Sequence, residues 1–209
     1  MRRIVWGRNT SSNVMKVLWA LDELGLPFER IDVGGAFGKT DTAEYRAMNP
    51  TGLVPTLQEE AFTLWESNAI CRYLCAAHAP ASAMWPQDLH ARANVDHWMD
   101  AQQTVLNRPM TVVFWGLVRT APDKRDMAAI GLAIQDTAKA WALIEAGLAR
   151  HPYIAGEAFT LADIPWGVHA HRWFNMDFQP PAMPALRAWY DRLCERPAYH
   201  TQVSSQPVV

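Results

Sequence analysis

The chain is poor in charge of either sign, poor in cysteine, and without a long apolar run. Charged residues make up 19% of its 209 positions, below the one quarter or so usual in globular proteins. Nineteen Lys plus Arg stand against 21 Asp plus Glu, a formal net charge of -2. Nucleic-acid binding needs a basic surplus or a basic stripe, and the lack of both excludes nucleic acid as a partner. A membrane span needs about 20 consecutive apolar residues. Charge or proline interrupts every run well before that, so no membrane association is expected. After Arg2-Arg3 only Ile4-Val5-Trp6 precedes Gly7-Arg8-Asn9, too short an apolar stretch for a secretion signal. Cys71, Cys75 and Cys194 cannot all pair. Cys71 and Cys75 stand i, i+4 on one helix, the pattern of buried thiols in a reducing compartment. A zinc site needs more Cys or His at ligand spacing, so no metal is expected. Together these absences describe a soluble cytoplasmic protein.

What the chain has is apolar mass. Half of it is hydrophobic, with ten tryptophans against five tyrosines, which excludes a disordered protein. At roughly 150 residues per domain, its length allows one large domain or two small ones. Periodicity favours two. Arg2 to Trp6 predicts a strand, and Ser12 to Leu24 carries Val14, Val17, Leu18, Leu21 and Leu24 at helical spacing until Gly25-Leu26-Pro27 stops it. Phe28 to Val33 alternates like a strand, and Thr42 to Met48 suits a short helix. Val54 to Gln58 and Phe62 to Leu64 suit paired strands, and Ser67 to Ala77 returns to helical period. This is a βαβ-α-ββα order, with a parallel pair and an antiparallel hairpin. Ala79 to Pro86 has linker composition. Beyond it, helices are predicted over His90 to Asn107, Met127 to Leu148, from Thr160-Leu161-Ala162-Asp163 as a capping box, and over Pro184 to Glu195, with no convincing strand. The expected organisation is a small α/β domain over 1–79, a linker over 80–89, and an all-helical domain over 90–209.

Three features of the first domain carry chemistry. Asn9-Thr10-Ser11-Ser12-Asn13 lies between the first strand and the first helix. Ser and Asn there serve as ordinary helix caps, and the same hydroxyls and free N–H groups can stabilise a bound anion. In Leu53-Val54-Pro55-Thr56, Pro55 directly precedes a strand. It is either a plain loop proline or a cis proline, which would turn the Val54 N–H and C=O outward toward an extended peptide-like ligand. In Trp65-Glu66-Ser67-Asn68-Ala69-Ile70, a helix start that suits a carboxylate adjoins Glu66, which suits an ammonium. The pair matches the two charges of an α-amino acid head group.

With these residues the sequence resembles the cytosolic glutathione transferases, specifically bacterial serine-type members of theta, zeta or nu character. The resemblance runs almost the full length. It rests on the Ser/Asn turn before the first helix, on Asn49-Pro50-Thr51-Gly52-Leu53-Val54-Pro55-Thr56-Leu57, on Glu66 to Ile70, and on Phe159-Thr160-Leu161-Ala162-Asp163-Ile164. It implies a thioredoxin-like first domain (α/β), an all-α second domain, a homodimer, and glutathione as co-substrate in a detoxifying transferase. By the same resemblance, Val54 ahead of cis Pro55 pairs with the cysteinyl part of glutathione. Glu66, Ser67 and Asn68 lie at its γ-glutamyl end, and Lys39 or Thr40 meets the glycyl carboxylate. Counting back from Lys16, which matches a basic residue of serine-type members, Ser12 falls on their catalytic serine. Ser11 and then Asn13 are the next candidates. The run holds no Tyr and no Cys, which excludes the tyrosine and cysteine types.

The electrophile is expected to be small and hydrophobic. Trp6, Phe114, Trp115 and Trp173 are candidates for its pocket, although aromatics at helical spacing more often pack inward. His169 and His171 flank Ala170 and cannot share a helix face, so they are expected to be surface or satisfied packing residues. Arg119 is expected to be an exposed arginine more than an anchor for anionic substrates. The alternatives to conjugation are glutathione-dependent disulfide reduction and a non-catalytic scaffold.

Overall fold

The structure, a computed structural model, describes residues 2–209; Met1, which opens the expected first domain, lies outside them. Strand β1 (Arg3–Trp6), helix α1 (Ser12–Glu23) and strand β2 (Glu29–Ile31) come first. β1 and β2 are parallel, with Val5 opposite Arg30. Helix α2 (Ala43–Met48) leads to the hairpin β3 (Thr56–Glu59) and β4 (Phe62–Trp65), then to α3 (Ser67–His78). β3 is antiparallel to both β1 and β4, giving the sheet order β2-β1-β3-β4. This is a thioredoxin-like domain. β3 starts two residues later than its period predicts, because Pro55 has no N–H to give to the ladder. The Val54–Pro55 bond is cis.

Beyond His78 the described residues form helices, with one isolated bridge between Tyr153 and Gly156. Helices α4 (Leu89–Ala101) and α5 (Asn107–Phe114) run on through a π turn at Gln102–Leu106, and a second π turn at Trp115–Arg119 ends the run. The helix expected to stop near Asn107 thus continues to Arg119. Pro109 suggests a terminus, but the wider turn just before it makes room where its ring would meet the Val105 carbonyl. Next come α6 (Met127–Leu148), α7 (Asp163–Asn175) and α8 (Pro184–Cys194). A further helix, α9 (Pro197–Tyr199), continues as a π turn over His200–Ser204. In sequence Arg196-Pro197 marks only the stop of α8. Proline is also well suited to a first helical position, and here it opens α9.

A single apolar core joins the two domains, and α1 belongs to both halves of it. Val14, Val17 and Leu18 of α1 are buried with Leu57, Ile70 and Leu74 of the first domain. Trp19, also on α1, points the other way. Its ring centroid lies 5.4 Å from Phe159 and 4.7 Å from Tyr199. Helix α7 crosses α1 closely at Gly167. A Cβ there would stand 2.9 Å from Trp19 Cζ3 and 2.8 Å from Leu193 Cδ1. The indole cannot yield without displacing the two rings packed on it. Gly167→Ala is therefore expected to destabilise the protein by about 1–3 kcal/mol through overpacking, in spite of a helix-propensity gain of about 1 kcal/mol. A urea midpoint at or above that of the unsubstituted protein would refute this.

Candidate active site

The N-terminus of α1 is left open. Its N-cap Ser11 makes no side-chain cap bond, and no acidic residue occupies its first turn. The first N–H groups of the helix thus keep their capacity to meet an external anion. Ser11, Ser12 and Asn13 border a cleft of about 440 Å³ whose opposite wall comes from Asn107, Thr111, Phe114 and Trp115. Asn13 also borders a second, narrow groove with Val54, Pro55, Glu66 and Ser67. Its Oδ1 accepts a long hydrogen bond from Ser67 Oγ at 3.4 Å. The groove and the cleft therefore meet at Asn13.

The groove wall is shaped by the Asn49-Pro50-Thr51-Gly52 loop. Buried Asn49 donates through Nδ2 to Leu53 O at 2.9 Å and to Thr56 Oγ1 at 3.0 Å. Its Oδ1 accepts from Thr51 N at 3.1 Å and Thr51 Oγ1 at 2.6 Å. Tyr45 Oη adds a 2.6 Å bond to Leu53 O. These bonds hold the loop while the Val54 N–H and C=O have no partner among the described residues. Across the groove, Glu66 precedes α3 with φ 72°. A non-glycine residue held in the left-handed region costs of order 1–3 kcal/mol and persists where its surroundings require it, often at a ligand site. Its carboxylate is exposed beside Ser67, the first residue of α3.

Beneath the site lies Lys16, fully buried. Its Nζ donates to Gln102 Oε1 at 2.8 Å, across the domain boundary and from the π turn. Burial pushes this ammonium down to about 7, against the upward pull of Cys71 and Glu66. Cys71 and Cys75 are free, buried thiols, each pushed up to about 12 by burial.

Some expected residues lie elsewhere. Trp173 is fully buried, packed 4.9 Å from Phe178 and 6.2 Å from Trp141, and does not reach the cleft. Trp6 donates through Nε1 to Gln58 Oε1 at 3.0 Å and borders a separate hollow with Lys39. It is not among the residues that border the cleft at the α1 N-terminus. Lys39 borders that hollow and not the Val54 groove, whereas Thr40 O approaches Gly52 in the groove-forming loop. Asn68 donates through Nδ2 to Met99 O at 3.0 Å and so ties α3 to α4. His171 is buried with bonds to Tyr190 Oη and Gln206 O. His169, expected to be satisfied or exposed, is buried with both ring nitrogens unpartnered among the described residues.

The pocket is also not the apolar one expected. Of its lining only Phe114 and Trp115 are large apolar residues, and three arginines, Arg8, Arg119 and Arg172, share it. Arg8 and Arg172 are the functional candidates that sequence reasoning missed. Arg8 adjoins the recognised turn, which is a usable signal. Arg172 lies far along the chain, and no local pattern marks it.

Family models for the glutathione S-transferase N-terminal domain and C-terminal domain match residues 10–77 and 87–192. The chain belongs to the glutathione S-transferase family. Glutathione S-transferase GstB of Escherichia coli K12 is 40% identical over 196 residues, covering 93% of this chain and 94% of that protein. Glutathione S-transferase 3 of Zea mays is 31% identical, with coverage of 98% and 94%. Among solved structures, the theta-class glutathione S-transferase of Xanthomonas axonopodis pv. citri with glutathione bound superposes with a TM-score of 0.95. It is 45% identical over 99% of each chain. In this glutathione S-transferase, the groove lies in the matched N-terminal domain, and the cleft lies between Ser11, Ser12 and Asn13 of that domain and the Phe114–Trp115 wall of the matched C-terminal one.

Proposed function

We propose that this glutathione transferase holds glutathione along Val54, with its amino-acid head at Glu66 and Ser67, and uses Ser12 to stabilise the thiolate for attack on a small electrophile in the cleft. The observation that carries this reading is the junction at Asn13, where a peptide-sized groove opens into a larger cleft beside two serine hydroxyls. The residues present fit the tripeptide. An unpaired main-chain N–H and C=O at Val54 offer strand-like pairing, and a helix start beside a free carboxylate offers both charges of the head group. The resemblance implies the same placement, and the Xanthomonas axonopodis relative, crystallised with glutathione, supports glutathione as the co-substrate.

The chemistry required of the protein is modest. A free thiol titrates near about 8.5, and each unit of depression requires about 1.4 kcal/mol of preference for the anion. A hydroxyl donating to sulfur supplies roughly that as a charge-assisted bond, and the helix dipole adds about 0.3–1 kcal/mol. Ser12 serves as a donor; the nucleophile is the sulfur of the co-substrate. Ser12→Ala is expected to raise the pH at which thiolate absorbance of bound glutathione appears by about one unit. An unchanged titration would move the role to Ser11 or Asn13. Asn13 carries the second reading, because it is the residue shared by groove and cleft. With an amide as the only donor to sulfur, thiolate activation is weaker, which suits glutathione-dependent disulfide reduction. The chain acts as a cytoplasmic homodimer divided at 1–79 and 90–209, in keeping with the family. No helix among the described residues is long and apolar enough to cross a membrane.

A further inference from the structure

The cleft beside the sulfur site is lined by three arginines and by no acidic side chain. Ion pairs elsewhere engage Arg2, Arg3, Arg30, Arg72, Arg187 and Arg196. Arg8, Arg119 and Arg172 pair with no carboxylate side chain among the described residues, and no Asp or Glu borders the cleft. They are held in place by other means. The Arg172 guanidinium lies 3.9 Å from the centre of the Phe114 ring and donates through Nη2 to Thr10 O at 3.2 Å. Arg119 lies 5.6 Å from the same ring and donates to Val209 O at 2.8 Å. The Arg8 side chain runs alongside Gly35, where a Cβ would come within 3.1 Å of its Nε. Phe114 thus carries two guanidinium groups, and Arg8 completes a cationic rim over Ser11 and Ser12.

Three like charges in one partly buried cleft repel one another. Burial, with Arg119 and Arg8 nearby, brings Arg172 down to about 10, and burial with Arg119 lowers Arg8. An anion would relieve that repulsion, and arginines bind carboxylates through paired donors, here from the largely buried Arg172 and the exposed Arg119. A neutral apolar substrate would leave the repulsion in place.

We propose that the electrophile accepted in this cleft is an organic acid, its carboxylate held by Arg119 and Arg172 with Arg8 adding to the field, and its reacting carbon turned toward the α1 N-terminus. This inference rests on the glutathione reading above and adds the substrate class. With an activated aryl chloride as probe, a C–S bond forms, the C–Cl bond breaks, chloride leaves with the bonding pair, and the thiol proton goes to solvent. Phe114 and Trp115 then contact the ring while the arginines contact the acid group.

The test compares 4-chloro-3-nitrobenzoate with 4-chloro-3-nitrobenzamide, each rate divided by its uncatalysed reaction with glutathione. The acid is expected to exceed the amide at least tenfold in kcat/KM at low salt, and the advantage should shrink with added salt as screening grows. Arg119→Gln should lower the acid-to-amide ratio at least tenfold, mainly through the KM of the acid, and Arg119→Lys should recover part of it. An acid no better than the amide, or a ratio unmoved in Arg119→Gln, would overturn the proposal. So would arginine variants that raise chiefly the KM for glutathione or the pH of thiolate formation, since the cluster would then serve the tripeptide. Calorimetry separates the two levels. Glutathione binding without a preference for the acid sinks only the substrate class, whereas no binding sinks the underlying reading as well.

Discussion

Asp163→Ala is expected to remove about 3–5 kcal/mol of stability, a large part of the 5–15 kcal/mol that holds a typical domain folded. Asp163 is completely buried at the start of α7. Its Oδ1 accepts from Ile154 N at 3.0 Å and Trp189 Nε1 at 2.9 Å, and its Oδ2 accepts from Thr160 N at 2.9 Å. One side chain thus gathers the loop before α7, the start of α7 itself, and an indole of α8. Burial pushes its carboxyl up to about 6 even against these donors, so at neutral pH those bonds are what support the buried charge. Alanine would strand three donors in the interior, each at about 1–3 kcal/mol. An asparagine in its place would keep one acceptor oxygen, so Asp163→Asn should lose less than Asp163→Ala. The check is the denaturant midpoint of both variants, with soluble yield where alanine prevents folding. An alanine variant as stable as the parent, or at least as stable as the asparagine variant, would contradict this account of the bonds.

The second large effect concerns pH. Lys16 titrates near 7 when folded and near 10.5 when unfolded. Between those values the unfolded chain binds the extra proton, so stability gains from this group as pH rises. Below 7 both states are protonated and the penalty of burying the ammonium is complete; above about 10 it is gone. The difference corresponds to on the order of 5 kcal/mol for a fully buried group. The groups around it do not offset burial: Cys71 and Glu66 pull its pKa upward, Arg172 pushes it down, and His169 is held neutral by burial. Lys16→Met should therefore stabilise the protein most at pH 6–7 relative to the parent, and the gap should close toward pH 10. Loss of the Gln102 contact adds a constant offset, so the decisive quantity is the slope of the difference between the two stability curves. Parallel curves from pH 6 to 10 would disprove the account.

Much of the framework is legible because it is local. The 3.6-residue periods of α1, α3 and α6, the alternation in the hairpin, and the Gly and Pro punctuation around them depend on a few neighbouring residues. The groove is legible for the same reason, since Val54, Pro55, Glu66 and Ser67 lie in two short segments with mechanical meaning. The i, i+4 spacing of Cys71 and Cys75 alone marks them as buried thiols, and they are buried. The aromatics are harder. An indole in a core and an indole lining a cleft look alike in sequence, and only packing sends Trp173 inward against Trp141 and Phe178 while leaving Trp115 at the cleft wall. Pro109 and Pro197 are ambiguous because proline ends helices and also begins or bends them.

The order of elements, the two-part division of the chain and the Val54 groove are therefore written in contiguous residues, whose backbone preferences and periods act over a turn or two. The character of the cleft is not. Arg8, Arg119 and Arg172 are far apart along the chain, and their shared field exists because α1, the end of the α5 run and α7 pack around one core. That packing is a long-range event, and no local pattern encodes it.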